Sequence, residues 1–97
     1  MQIDRADIEA GLLRKGFFRG SERDDHRSFH FVFQGRRAGI HTFTSHGSKY
    51  KVYGDQLLNM MKRQLHLQTA RDLADLVNCP MSREQYEQIL RDQGLLG

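Results

Sequence analysis

"HRSFHFVFQGRRAGIHTFT", residues 26–44, is the stretch on which the fold turns. Phe29, Phe31 and Phe33 alternate with Ser28, His30 and Val32, the period of two that a half-buried strand requires. "QGRRAG" supplies a turn with two glycines, and Ile40 to Thr44 reads as the returning strand. Just upstream, "GFFRGS" starts extended structure, which makes three consecutive strands. Strands joined by turns this short pair antiparallel.

Working outward, the period becomes helical on both sides. Asp4 reads as the N-cap of a first helix that carries Ile8, Leu12 and Leu13 on one face and closes at Gly16. Gly11 weakens that helix by about 1 kcal/mol relative to alanine unless another element approaches there. From Asp55, read as a cap, Leu57, Leu58, Met61 and Leu65 form an apolar stripe beside Met60, while Asn59, Lys62, Arg63 and His66 face away. "TARD" opens a third helix with Leu73, Leu76 and Val77 inside, and "NCPM" breaks it. "SREQ" opens a fourth, with Tyr86, Ile89 and Leu90 on its apolar face and Gly94 near its end. The predicted class is α+β. An α-β-β-β-α core over residues 1–67 is followed by a C-terminal helical extension over 68–97, all in one domain. A three-stranded antiparallel sheet with helices on one face would bury the phenylalanines and leave its other face to solvent. Period two sends Ser28 and His30 to that open face, together with His26 if the strand extends so far. No aromatic residue is assigned there, which argues against a stacking platform for single strands.

The totals restrict the function classes. At 97 residues, 38% hydrophobic and 28% charged, the chain suits one soluble globular domain. Cys79 is the single cysteine, so no intramolecular disulfide forms, and a small buried thiol is the expected role. The opening "MQIDRADIEAG" is charged and reads as no secretory signal, and no apolar run approaches a membrane span. A cytoplasmic protein is expected. Through His66 twelve Lys/Arg face seven Asp/Glu, giving +5; from Leu67 onward three face five, giving −2. A basic front with an acidic tail suits a module that meets polyanions.

Five histidines invite a metal reading, but the spacing does not support one. His26 and His30 are four apart, which separates them by about 13 Å along a strand. No helical HxxxH and no cysteine pair occurs. No metal and no other cofactor is expected. Phosphodiester cleavage needs less: a base for the 2′-hydroxyl, an acid for the leaving oxygen, and cations for the phosphate. His26 follows Asp24 and Asp25, which favour its protonated form against the opposing Arg23 and Arg27, whereas His46 has Lys49 and Lys51 nearby, which favour the neutral form; imidazoles pushed apart in this way would make an acid and base pair. Arg14, Lys15, Arg19, Arg36, Arg37, Lys49, Lys51, Lys62 and Arg63 are candidate phosphate contacts. A non-catalytic RNA-binding module would use the same cations, a protein-interaction module on the same fold is the other non-catalytic alternative, and a metal-dependent nuclease would use the acidic pair instead.

"RKGFFR", "DHRSFHFVF", "GRRAGIHTFTSHG" and "YGDQLLNMMKRQL" together resemble the HicA, or YcfA-like, toxin family across roughly residues 5 to 67. "NCPMSREQYEQIL" is similar to a longer variant carrying extra C-terminal helices. The resemblance implies a double-stranded-RNA-binding-domain-like fold and a metal-independent mRNA endoribonuclease of a toxin–antitoxin system. It also implies a HicB-like antitoxin as partner beside RNA; a homodimer stays open. The catalytic positions it implies are His26, in "DDHRSF", and His46, in "TSHG". Arg27, His30, Arg36, Arg37, Lys49 and Lys51 are the expected RNA contacts. The Gly-Ser that commonly precedes the family's histidine is replaced here by Asp24-Asp25, and the chain continues about thirty residues past the minimal toxin.

Overall fold

The computed structural model describes residues 1–97 except 24, 25, 46, 48, 49, 79 and 97, with backbone alone at 21–23. His46, Lys49, Cys79 and the Asp24-Asp25 pair therefore lie outside the described residues. The chain runs β1 (Ile3–Asp4), α1 (Arg5–Arg14), β2 (Phe17–Arg23), β3 (His26–Phe33), β4 (Arg36–Ser45), β5 (Val52–Tyr53), α2 (Asp55–Gln64), α3 (Ala70–Asn78) and α4 (Arg83–Asp92). β2, β3 and β4 form an antiparallel sheet in that order, and β1 pairs antiparallel with β5. The α+β class and the three-stranded sheet expected from the sequence are both present.

The β3–β4 turn is tighter than "QGRRAG" suggested. Gln34 (φ 53°) and Gly35 (φ 78°) alone connect Phe33 to its partner Arg36. Two successive residues at positive φ are what a two-residue hairpin loop needs to match the strands' right-handed twist. Gly39, also at positive φ (78°), sits where the β3–β4 register shifts between His30 and Val32. That bulge lets β4 continue to Ser45 with Ile40, Thr42 and Thr44 buried. Two of those three are polar, and each finds a partner. Thr42 Oγ1 donates to Gln64 Oε1 and Thr44 Oγ1 donates to Glu9 Oε2, both at 2.6 Å.

Phe29 and Phe31 are fully buried in a core that also holds Ile8, Leu12, Leu58, Met61 and Leu65. Residues beyond 67 belong to the same core: Leu73, Leu76, Val77, Tyr86 and Leu90 are all inaccessible. Burying each such side chain contributes about 1.5–3 kcal/mol. The Tyr86 ring packs edge-on against Phe31 with centroids 5.1 Å apart, lies 5.9 Å from Phe17, and donates its hydroxyl to Leu65 O at 2.8 Å. Burial pushes the Tyr86 phenol well above its ordinary value, so it stays protonated and remains a donor. The C-terminal helices thus complete the core, while the far face of the sheet stays open.

Caps divide into two kinds. Ser82 forms a reciprocal capping box with Gln85, and Thr69 Oγ1 accepts from Asp72 N, as "SREQ" and "TARD" predict. Asp4 holds the N-cap position of α1 without a side-chain bond. Asp55 does not cap α2. Gly54, extended at φ −92° and ψ −168°, is the N-cap, and the Asp55 carboxylate accepts instead from the Met1 ammonium at 3.1 Å.

Candidate nucleic-acid interface

Pairing in the sheet aligns Phe18, His30 and His41 across β2, β3 and β4. Because Phe17 and Phe31 are opposite each other on the buried side, their neighbours Phe18 and His30 must point to the open one. Likewise Ile40, Thr42 and Thr44 point inward, so His41, Phe43 and Ser45 point outward. The result is a continuous row of rings. Phe18 and His30 centroids are 5.9 Å apart, and His30 and His41 stack at 5.5 Å with planes 25° apart. His41 then meets Phe43 edge-on at 5.3 Å, and Phe43 meets His26 edge-on at 6.2 Å. At the opposite end the Arg37 guanidinium lies 5.2 Å from the Phe18 ring centre. Phe18 and Phe43 remain 38% and 41% exposed, unusual for aromatic residues with a core available to them.

Gly20 makes room for this row. A Cβ there would stand 2.4 Å from Ser28 Oγ and 2.8 Å from His30 Nε2, so only glycine lets the His30 imidazole lie across β2. The pKa of His30 is lowered, first by its partial burial and then by the charges of Arg37 and His41. The shift favours the neutral imidazole, in which one nitrogen is an acceptor.

Where the row ends at His26, the sheet meets α2 across a pocket of about 220 Å³. His26, Phe43 and Ser45 form the sheet wall, with Leu57, Met60, Met61 and Gln64 opposite. Tyr53 closes it, its Oη accepting from Ser45 N at 3.0 Å. No three His, Cys, Asp or Glu side chains among the described residues converge as metal ligands would.

Of the residues selected from sequence, His26, His30 and Arg37 share the open face with the ring row. Arg27 does not: it points to α1 and pairs with Glu9 at 3.0 Å. Lys51 is exposed beside Arg27, Asp4 and Glu9, away from the row. Arg36 stands at the hairpin near Phe33, Ala38 and Leu96. Lys15 is buried, its Nζ donating to Leu76 O and Met81 O at 2.6 Å each, and Arg14 donates to Val77 O. Both tie α1 to the C-terminal helices, and the burial of Lys15 with two of its three donors on backbone carbonyls sets it apart from the exposed cations. His46 and Lys49 are outside the described residues. The expectation that no aromatic residue lines the open face is corrected: Phe18, His41 and Phe43 were missed. Their signal was the parity of "FF" and "IHTFT", where placing Phe17 and Ile40 inward forces the next residue outward.

Comparison of the chain with family models, curated proteins and solved structures gives no match. No helix is long and apolar enough to cross a membrane among the described residues.

Proposed function

We propose that this chain is an RNA-directed, HicA-like toxin on a double-stranded-RNA-binding-domain-like core, cleaving single-stranded mRNA by histidine acid/base chemistry. The observation that carries the reading is the ring row Phe18–His30–His41–Phe43 running from Arg37 to His26 on an open sheet. Bases of any identity stack on such rings, at about 1–3 kcal/mol each, while cations follow the backbone. His26, at the end of the row, is the principal catalytic group. One imidazole takes the 2′-hydroxyl proton, the 2′-oxygen attacks phosphorus, and the P–O5′ bond breaks to leave a 2′,3′-cyclic phosphate. A second group protonates the departing 5′-oxygen. His30 lies about 13 Å from His26 along β3, too far to flank the same phosphate. That leaves His46 as the second group in this reading, with His30 and His41 contacting bases. Arg37 supports the phosphate, and a HicB-like antitoxin would cover the same open face.

Inducing wild type and His26→Ala separately, in cells lacking a HicB-like antitoxin, tests this. Growth arrest and loss of RNA integrity are expected with wild type alone. Equal behaviour of the two would remove His26 from catalysis. The exposed rings also suit a second reading, a non-catalytic single-strand RNA-binding module, which predicts RNA retention without cleavage by both variants. Loss of cleavage in a chelator would point instead to a metal-dependent reaction at the acidic pair.

A further inference from the structure

The pocket between β4 and α2 is not needed for backbone cleavage, and its lining is specific. Among its described lining residues none carries a fixed charge, so it does not suit a phosphate. It is apolar on the α2 side, where Leu57, Met60 and Met61 project, and Phe43 stands at the sheet side. Besides His26 and Ser45 on the sheet wall, two polar groups enter this setting. The Gln64 oxygen is engaged by Thr42, so what Gln64 offers is its amide N–H groups. Tyr53 Oη accepts from Ser45 N, and its own hydrogen goes to none of the described residues. The site therefore presents the Gln64 and Tyr53 donors between largely apolar walls, beside His26 and Ser45. An apolar cavity of about 150 Å³ accommodates benzene; about 220 Å³ accommodates a flat heterocycle. The complement is a neutral planar ring with acceptor atoms on one edge.

We propose that this pocket receives one unstacked nucleobase of the single-stranded RNA whose neighbouring bases lie on the ring row. The inference rests on the RNA reading above. Single-stranded RNA is recognised by splaying out a base, stacking it and bonding its edge, and the pocket supplies both the walls and the donors. The ring row is indifferent to sequence, so the pocket is where this protein selects a base at the position adjoining His26. The two donors favour a base edge with a carbonyl oxygen next to a ring nitrogen.

The four methionines, Met1, Met60, Met61 and Met81, provide the test. The full chain carrying methyl-¹³C methionine is titrated with a short 2′-O-methyl oligonucleotide, which lacks the attacking hydroxyl and stays intact. The methyl signals of Met60 and Met61 are expected to shift in the ring current of the bound base, while those of Met1 and Met81 hold. Leu57→Trp, which fills the pocket, is expected to abolish those shifts and weaken binding roughly tenfold. Met60→Glu alters only an exposed wall and predicts the same loss, so the conclusion does not hang on one variant folding. Shifts of the His30 and His41 ring signals with Met60 and Met61 unmoved would overturn the pocket but keep the RNA reading. So would wild-type affinity in both variants. Absence of any binding would overturn the RNA reading and the pocket with it.

Discussion

Gly11→Ala decides whether α1 and α3 touch as closely as the structure has them. A Cβ on Gly11 would stand 2.3 Å from Val77 O and 2.6 Å from Val77 Cα. Ordinary contact begins near 3.4 Å, so the helices would have to separate by about 1 Å at their crossing. Neither atom belongs to a side chain that can swing away. The crossing is held by Leu12, Leu73, Leu76 and Val77, all inaccessible, and by the Arg14–Val77 and Lys15–Leu76 bonds. Overpacking of this kind costs about 1–3 kcal/mol and sometimes more. Alanine gains about 1 kcal/mol in helix propensity over glycine. With two further bonds stretched, the cost wins, and the variant should be about 2 kcal/mol less stable. For a domain of this size that lowers Tm by roughly 8–16 °C. Thermal and urea unfolding, with exposed Asn59→Ala in α2 as a propensity-only control, would measure it. A Gly11→Ala protein as stable as wild type would refute the close crossing.

Lys15→Met should destabilise by about 2 kcal/mol, because it leaves the Leu76 and Met81 carbonyls without their donor; under the proposed RNA reading it should leave RNA affinity unchanged in a filter-binding assay. Tyr86→Phe should cost about 1 kcal/mol through the lost Leu65 bond, with packing against Phe17 and Phe31 retained, as urea midpoints would show. His30 has a folded pKa below its ordinary 6.5, so just below pH 6.5 the unfolded chain binds more protons and unfolding free energy rises with pH. Stability contributed by this group should fall as pH drops from 6.5 through the folded pKa, and His30→Gln should remove that part of the slope in urea titrations.

The elements with a strong period were legible in the sequence. β3 declared itself through Phe29 and Phe31, and α3 and α4 through Leu73, Leu76, Tyr86 and Leu90 together with their polar caps. β1 and β5, at two residues each, are too short to carry a period. The open face was misread because β4 inverts hydropathy: Thr42 and Thr44 are buried while Phe43 is exposed. That inversion depends on Gln64 and Glu9, residues 22 and 35 positions away, which no local pattern announces. The same holds for Lys15, whose partners lie 61 and 66 positions on. The candidate site was half visible: the imidazoles stood out as residue types, but the register that joins them to Phe18 and Phe43 is a tertiary fact.

The long reach of Lys15 and Tyr86 also bears on how the chain is made. The first helix meets its backbone partners only once residues 76 and 81 exist, and the phenylalanines of the sheet are sealed only by residue 86. Closing contacts over such separations comes late in folding, because the loop entropy must be overcome first. A nascent chain leaving the ribosome would expose its phenylalanines until α4 arrives. The buried side of the sheet would gain its final packing only once residue 86 is in place.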